Sequence, residues 1–128
     1  MQPVPLVIGV LYVAAGGALG SAARYLAGAA ITGTGFAAWG GTLAVNVVGA
    51  FLCGALHQSA PTSRTWLMFG TGVLGGFTTF SALTLDAVHH FGPLPDWRGS
   101  AYAVGSVGLG MAAFMLGGFC VRWVVAHR

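Results

Sequence analysis

Residues 65–85 read TWLMFGTGVLGGFTTFSALTL and contain no charged side chain. A bilayer core about 30 Å thick is crossed by a helix of about 20 predominantly apolar residues, so this segment is long enough to span it. The segment therefore predicts a transmembrane helix, and the rest of the chain can be compared with it.

Long uncharged stretches recur on both sides of this segment, at residues 1–23, 25–63 and 99–121. Only 5% of the 128 residues are charged and Lys is absent, whereas soluble domains average roughly 25% charged residues. The pattern predicts an all-α membrane protein with four transmembrane helices, at about residues 5–31, 39–57, 65–89 and 99–125. These helices form a single domain over residues 1–128, and we expect a multi-pass protein of the cell (plasma or inner) membrane.

The centre of the third helix is unusual for its glycines and threonines. Three glycines, at 72, 75 and 76, are followed by Thr78 and Thr79, and all of these are poor helix formers in water. One interpretation is a helix broken near the midplane, whose free carbonyls can hold a small cation. The other is a kinked but continuous helix in which the Thr hydroxyls bond to the preceding turn. The pattern alone leaves both open.

Two polar residues stand out in the first two helices. Asn46 lies in the middle of helix 2, where its amide either bonds across a helix interface or donates to a passing anion. Arg24 lies toward the end of helix 1, either as an interfacial anchor or as a cation that concentrates anions in a vestibule. Gly16 and Gly20, and Gly72 and Gly76, form GxxxG pairs that favour close helix packing.

Helix 4 presents Tyr102 and Ser106 on one face, since they are four residues apart. Together with the positive ring edges of Phe77 and Phe80 these hydroxyls would make an anion-compatible lining, although both Phe residues could equally be ordinary packing. No acidic residue lies in the central part of any predicted helix. The nearest, Asp86, is expected to reach water at the end of helix 3. A cation or proton-coupled pathway usually has a central carboxylate, so the pattern favours a small anion.

The arginines give little indication of orientation. Three, at 64, 122 and 128, fall on the side of the termini and two, at 24 and 98, on the other. This narrow difference is compatible with one orientation or with dual topology, in which two copies pair antiparallel. A homodimer is expected in both cases, because four helices enclose a pore with difficulty.

Other functional classes are disfavoured by the sequence. Scattered single arginines form no basic patch for nucleic acid. No nucleophile, metal cluster or phosphate-binding loop is seen, so an enzyme is not expected. A small multidrug-type dual-topology exporter is the alternative transporter, but it would need an embedded carboxylate. A non-transporting assembly subunit would not explain Asn46 or the Gly-Thr-Thr segment.

Three motifs in order make the chain similar to the CrcB/Fluc fluoride channels over nearly its full length. They are Gly16-Gly17-Ala18-Leu19-Gly20 with Arg24-Tyr25, Gly41-Thr42-Leu43 with Asn46 and Gly49, and Gly75-Gly76-Phe77-Thr78-Thr79-Phe80-Ser81. The resemblance implies a passive fluoride channel and an antiparallel, dual-topology homodimer with two pores, the helix 3 breaks meeting at the two-fold axis.

The resemblance also implies roles for individual residues. Backbone carbonyls of Gly75 and Thr78 would hold a structural Na⁺. The fluoride pathway would be lined by Asn46, Phe77, Thr79, Phe80, Ser81, Tyr102 and Ser106, with Arg24 in the vestibule. Two positions depart from the family pattern, because Leu83 replaces a second pore Phe and Gly110 offers no hydroxyl where the polar track would continue.

Overall fold

The computed structural model describes residues 3–35, 37–91 and 97–127 and contains four helices long and apolar enough to cross a membrane. We label them α1 (Leu6–Gly33), α2 (Ala38–Gln58), α3 (Ser63–His90) and α4 (Trp97–Ala126). The prediction of an all-helical protein with four membrane-spanning helices is confirmed. The chain is a multi-pass membrane protein.

The surface of these helices is apolar, as lipid contact requires. Large hydrophobic side chains such as Leu6 (83% exposed) and Val104 (73% exposed) point outward, whereas the buried hydrophobic residues are only Val45, Leu74, Leu83 and Ala87 among the described residues. In water such a surface would cause aggregation, but in a bilayer it is solvated by acyl chains. A helix suits this environment because most of its backbone N–H and C=O groups are hydrogen-bonded within the helix.

Glycines bring the helix backbones together in two pairs. In α1, a Cβ at Gly16 would lie 2.9 Å from the Cα of Gly72, and one at Gly20 would lie 2.9 Å from the backbone N of Phe77. In the second pair, Gly54 of α2 lies against the backbone of Phe114, and Gly117 of α4 against that of Phe51. Since lipid supplies no hydrophobic drive between helices, this close packing holds α1 on α3 and α2 on α4.

The backbone of α3 changes along its length. Ser63–Thr65 is α-helical, Trp66–Leu74 has the wider i→i+5 hydrogen bonding of a π-helix, and Gly75–Phe77 returns to α geometry. Thr78 then takes an extended conformation with φ −78° and ψ 156°, and helix resumes over Phe80–Phe91. Long π-helical segments are rare and often lie at functional sites, so α3 is the helix that needs a functional explanation.

Candidate functional site

Thr78 and Thr79 connect the two parts of α3 by taking over backbone hydrogen bonds. The Thr78 hydroxyl donates to the Leu74 carbonyl at 2.9 Å, which ends the first part. The Thr79 hydroxyl accepts from the backbone N–H of Ala82 at 3.2 Å, which is the geometry of a helix N-cap. One threonine therefore closes a helix and the next one starts another.

Asn46 of α2 binds the backbone between these two parts. Its Nδ2 donates to the Thr79 carbonyl at 2.9 Å, and its Oδ1 accepts from the Thr79 N–H at 2.7 Å. Of the two interpretations of Asn46 left open by the sequence, the structure therefore displays the bond across a helix interface. A primary amide has two N–H groups, so a second donor remains after this pairing.

Gly49, one turn after Asn46, lets the interrupted backbone approach α2. A Cβ at this position would lie 3.3 Å from the Phe77 ring and would also collide with the Thr78 side chain. Gly49 is buried, and Phe77 and Thr78 are half-buried. The small residue therefore fixes the distance over which the Asn46 amide reaches Thr79.

The Asn46 amide and the Thr79 hydroxyl each divert one backbone donor from its regular helical acceptor. In a continuous helix the N–H of Thr79 would bond to the carbonyl of Gly75, and that of Ala82 to the carbonyl of Thr78. Here these N–H groups donate to Asn46 Oδ1 and to the Thr79 hydroxyl instead. The carbonyls of Gly75 and Thr78 thus lose their usual donors.

Two cavities flank the Asn46–Thr79 pairing, and Thr79 lines both of them. The first, about 430 Å³, lies between α2, α3 and α4, and its lining includes Asn46, Gly75, Thr78, Phe80, Ser106 and Gly110. The second, about 350 Å³, lies between α1, α2 and α3, and its lining includes Arg24 and Thr42. The hydrogen-bonded pairing thus stands between two spaces that are each large enough for water or small ions.

The predicted pathway residues are distributed unevenly around this centre. Asn46, Thr79, Phe80 and Ser106 line the first cavity, where the Phe80 ring is 71% exposed. Ser81 is exposed and contacts the Thr79 hydroxyl at 3.1 Å, whereas Phe77 packs against Gly49. Arg24 is on the second cavity.

The two hydroxyls predicted on α4 differ in their hydrogen bonding. The Tyr102 hydroxyl donates to the Trp39 carbonyl at 3.0 Å, and the two rings meet edge to face at 5.9 Å. Ser106 is buried, at 6% exposure, and its hydroxyl has no hydrogen-bond partner among the described residues. Of these two residues, Ser106 is the one that lines the first cavity.

Comparison with known proteins assigns the chain to a family. The family model described as CrcB-like protein, Camphor Resistance (CrcB), matches residues 11–118. The chain belongs to the CrcB family. It is 43% identical over 124 residues to the fluoride-specific ion channel FluC of Caulobacter vibrioides (strain NA1000 / CB15N), covering 91% of this chain and 98% of that one.

Two further relatives of this CrcB chain carry the same name. The fluoride-specific ion channel FluC of Rhizobium meliloti (strain 1021) is 45% identical over 124 residues, with 91% of this chain and 98% of the relative covered. That of Rhizobium leguminosarum bv. trifolii (strain WSM2304) is 46% identical over 118 residues, with 86% and 93% covered. The similarity to the CrcB/Fluc channels expected from three motifs is confirmed over most of the chain.

One expectation about this CrcB chain is wrong. Asp86 does not reach water freely at the end of its helix, because it is only 9% exposed and its Oδ2 is buried without a hydrogen-bond partner in the described residues. Its position in the sequence, near a helix end, suggested exposure. Burial follows from the packing of the second part of α3 against α4 and α2, which the sequence did not reveal.

Proposed function

We propose that this chain is a fluoride-selective passive channel that exports cytoplasmic fluoride. The observation that carries the proposal is its 43% identity, over 91% of its length, to a protein named as a fluoride-specific ion channel. The multidrug-type exporter considered from the sequence has no support from the comparisons, because the relatives named here are called fluoride-specific ion channels.

The mechanism requires no chemical turnover. Fluoride enters acidified cells as neutral HF and dissociates inside, and the membrane potential then drives the anion outward with about 2.3 kcal/mol per charge per 100 mV. Selectivity for fluoride requires a narrow path whose donors replace a tightly held hydration shell. Neutral N–H and O–H groups suit this role because they stabilise the anion without holding it permanently.

The proposed path uses the donors around the two cavities. Arg24 attracts the anion into the second cavity, and the free N–H of Asn46 and the Ser106 hydroxyl donate to it from the first. Thr79 and Ser81 add hydroxyls next to the interruption, and Phe77 and Phe80 add positive ring edges. Tyr102 lies at the end of the same α4 face, and its hydroxyl donates to the carbonyl of Trp39.

A structural Na⁺ bound by the carbonyls of Gly75 and Thr78 forms part of the proposal. Both carbonyls have lost their regular helical donors to Asn46 and Thr79, and carbonyl oxygens are ligands suited to a hard monovalent cation. Gly75 is exposed on the single chain, so a second copy has access to the same position. The ion would supply positive charge that fixes the two interruptions against each other.

The functional unit proposed here is an antiparallel, dual-topology homodimer with two pores and the α3 interruptions near the membrane midplane. The first cavity is lined from α2, α3 and α4 and not from α1, within the described residues. Phe80, at its edge, is 71% exposed, so the single chain leaves this aromatic side chain largely uncovered. A second copy laid on this side would cover the ring and close the cavity into a pore.

Purified protein in liposomes is expected to release trapped fluoride when a potassium gradient and valinomycin set the membrane potential. Release should be far faster than from protein-free vesicles, because a narrow path with matched donors conducts without turnover. A fluoride electrode measures the efflux, and chloride-loaded vesicles with a chloride electrode serve as the comparison. Equal chloride efflux, or no fluoride efflux, would refute the function.

A cysteine placed at the end of α4 is expected to be labelled from both sides of the membrane in intact cells. The test uses Ala126→Cys in a background in which Cys53 and Cys120 are replaced by Ser, since both are free thiols. Because the arginine difference is small, we expect an impermeant maleimide to label about half of the protein before permeabilisation and all of it afterwards, as dual topology requires. Labelling from one side alone would contradict the antiparallel dimer.

A further inference from the structure

Asp86 and His90 form an ion-pairing couple on the last turns of α3. His90 Nε2 lies 3.8 Å from Asp86 Oδ1, and the side chains are 42% and 13% exposed, respectively. The second carboxylate oxygen, Oδ2, is buried and without a hydrogen-bond partner among the described residues. The couple therefore joins a carboxylate inside the helix bundle to an imidazole that water and protons can reach.

The buried carboxylate lies beside the proposed anion path. Asp86 follows Thr79 and Leu83 at seven and three residues, on the same helical face, and both of those residues line the first cavity. The second part of α3, which carries Asp86, packs on α4, where Tyr102 lies one turn before Ser106. An anion that passes Ser106 and Tyr102 must therefore cross the field of Asp86.

Other charged or titratable groups near this mouth lie on α4 and on α3 itself. The helix α2 contains no Asp, Glu, Lys or Arg, and its one histidine, His57, is at the opposite end. The helix α4 contributes Tyr102 and, one turn earlier, Arg98, whose guanidinium lies 5.8 Å from the centre of the Trp97 ring. On the same helix as the couple, His89 is exposed.

Two acidic or basic residues elsewhere bear on the same question. Arg24 lines the second cavity together with Ala82, on the α1 side of α3. Asp96 follows in the sequence but lies outside the described residues. Histidine is the side chain whose charge ordinarily changes between about pH 5 and 8; the mouth has two, His89 and His90, and His90 is the one that lies 3.8 Å from Asp86.

We propose that Asp86 and His90 form a proton-operated electrostatic gate on fluoride conduction, an inference that rests on the channel function proposed above. With His90 neutral, the Asp86 carboxylate repels the approaching anion. When His90 is protonated, its positive charge cancels that field and the barrier falls. Flux through the channel therefore rises as the pH falls through the range in which histidine is protonated, which is also the condition under which HF enters cells.

The test measures fluoride efflux from proteoliposomes with the same pH on both sides, at about 7.5 and about 5.5, values that bracket the ordinary titration of histidine. The wild-type chain is expected to conduct several-fold faster at the lower pH, after subtraction of the HF leak of protein-free vesicles. His90→Gln is expected to stay at the slow rate at both pH values. His90→Arg, permanently charged, is expected to be fast at both.

Matched variants separate the gate from general effects of acid. Asp86→Asn removes the repelling charge and is expected to be fast at both pH values. His89→Gln, next to the couple and exposed, is expected to keep the wild-type response. Because the His90 side chain is 42% exposed, its variants remain informative even if Asp86→Asn fails to fold.

The outcomes distinguish the gate from the channel itself. Wild-type fluoride flux that is equal at both pH values, or a wild-type response in His90→Gln, overturns the gate and leaves the channel function standing. A wild-type pH response of fluoride flux in His90→Arg also overturns the gate and leaves the channel function standing. Absence of fluoride flux from the wild-type protein at both pH values refutes the channel function.

Discussion

Replacing Asn46 with Ala is expected to lower fluoride flux by at least about tenfold and to weaken the α2–α3 contact. The substitution leaves the N–H and the carbonyl of Thr79 without their partners, at about 1–3 kcal/mol for each unsatisfied buried group. The interruption in α3 then loses the geometry that separates the two cavities. Flux in proteoliposomes and thermal unfolding in detergent measure the two effects.

Asn46→Asp keeps the size of the side chain but changes its charge. It retains an oxygen to accept from the Thr79 N–H, but its second oxygen replaces the amide donor and faces the Thr79 carbonyl. We expect flux at least as low as in Asn46→Ala, because the negative charge opposes an anion, and stability below wild type, because two acceptors are opposed and a charge is partly buried. Ser59→Ala, which removes one hydrogen bond at 2.7 Å in the exposed loop after α2, serves as the control and should conduct normally. Wild-type flux in both Asn46 variants would remove Asn46 from the path.

Replacing Gly20 with Ala is expected to lower the melting temperature sharply and to reduce the yield of folded protein. The added Cβ would lie 2.8 Å from the carbonyl carbon of Val73 and 2.9 Å from the backbone N of Phe77, so backbone and not a flexible side chain must move. Overpacking of this kind costs about 1–3 kcal/mol and sometimes more. Gly16→Ala is expected to behave in the same way, because it meets the backbone of Gly72 at 2.9 Å.

Gly17→Ala is the matched control on the same helix. A Cβ there has nothing within 4 Å, and alanine favours helix over glycine by about 1 kcal/mol. Size-exclusion profiles and melting curves in one detergent should show Gly17→Ala at or above wild type and the other two below it. Equal melting temperatures for all three variants would mean that α1 does not pack on α3 as described.

The sequence predicted more of the fold than of the site, because the helices depend on local composition whereas the site depends on contacts between separate helices. The four helices follow from local composition, and the GxxxG pairs in α1 and α3 correctly indicated close helix packing without indicating which helices meet. The glycine at 117, which packs α4 against α2, was not singled out, since small residues are common throughout α4. A small residue shows what a helix permits but does not identify its neighbour.

In the candidate site, the sequence identified unusual polar residues but not their hydrogen-bond partners. Asn46 was recognised as unusual from its depth in an apolar helix, yet its partner, Thr79, lies 33 residues away and could not be identified from spacing. The hydroxyls of Tyr102 and Ser106 share a face, but only the structure shows that one is bonded to Trp39 and that the other lacks a partner among the described residues.

The sequence by itself determined that the chain crosses the membrane four times, because length and apolar composition are what the hydrocarbon layer requires of a helix. The tertiary structure alone decided that the Asn46 amide is paired with Thr79 and that Asp86 is buried beside the proposed path. Hydrogen bonds and burial depend on which faces of separate helices meet. In an apolar environment that packing decides which polar groups remain available to an ion.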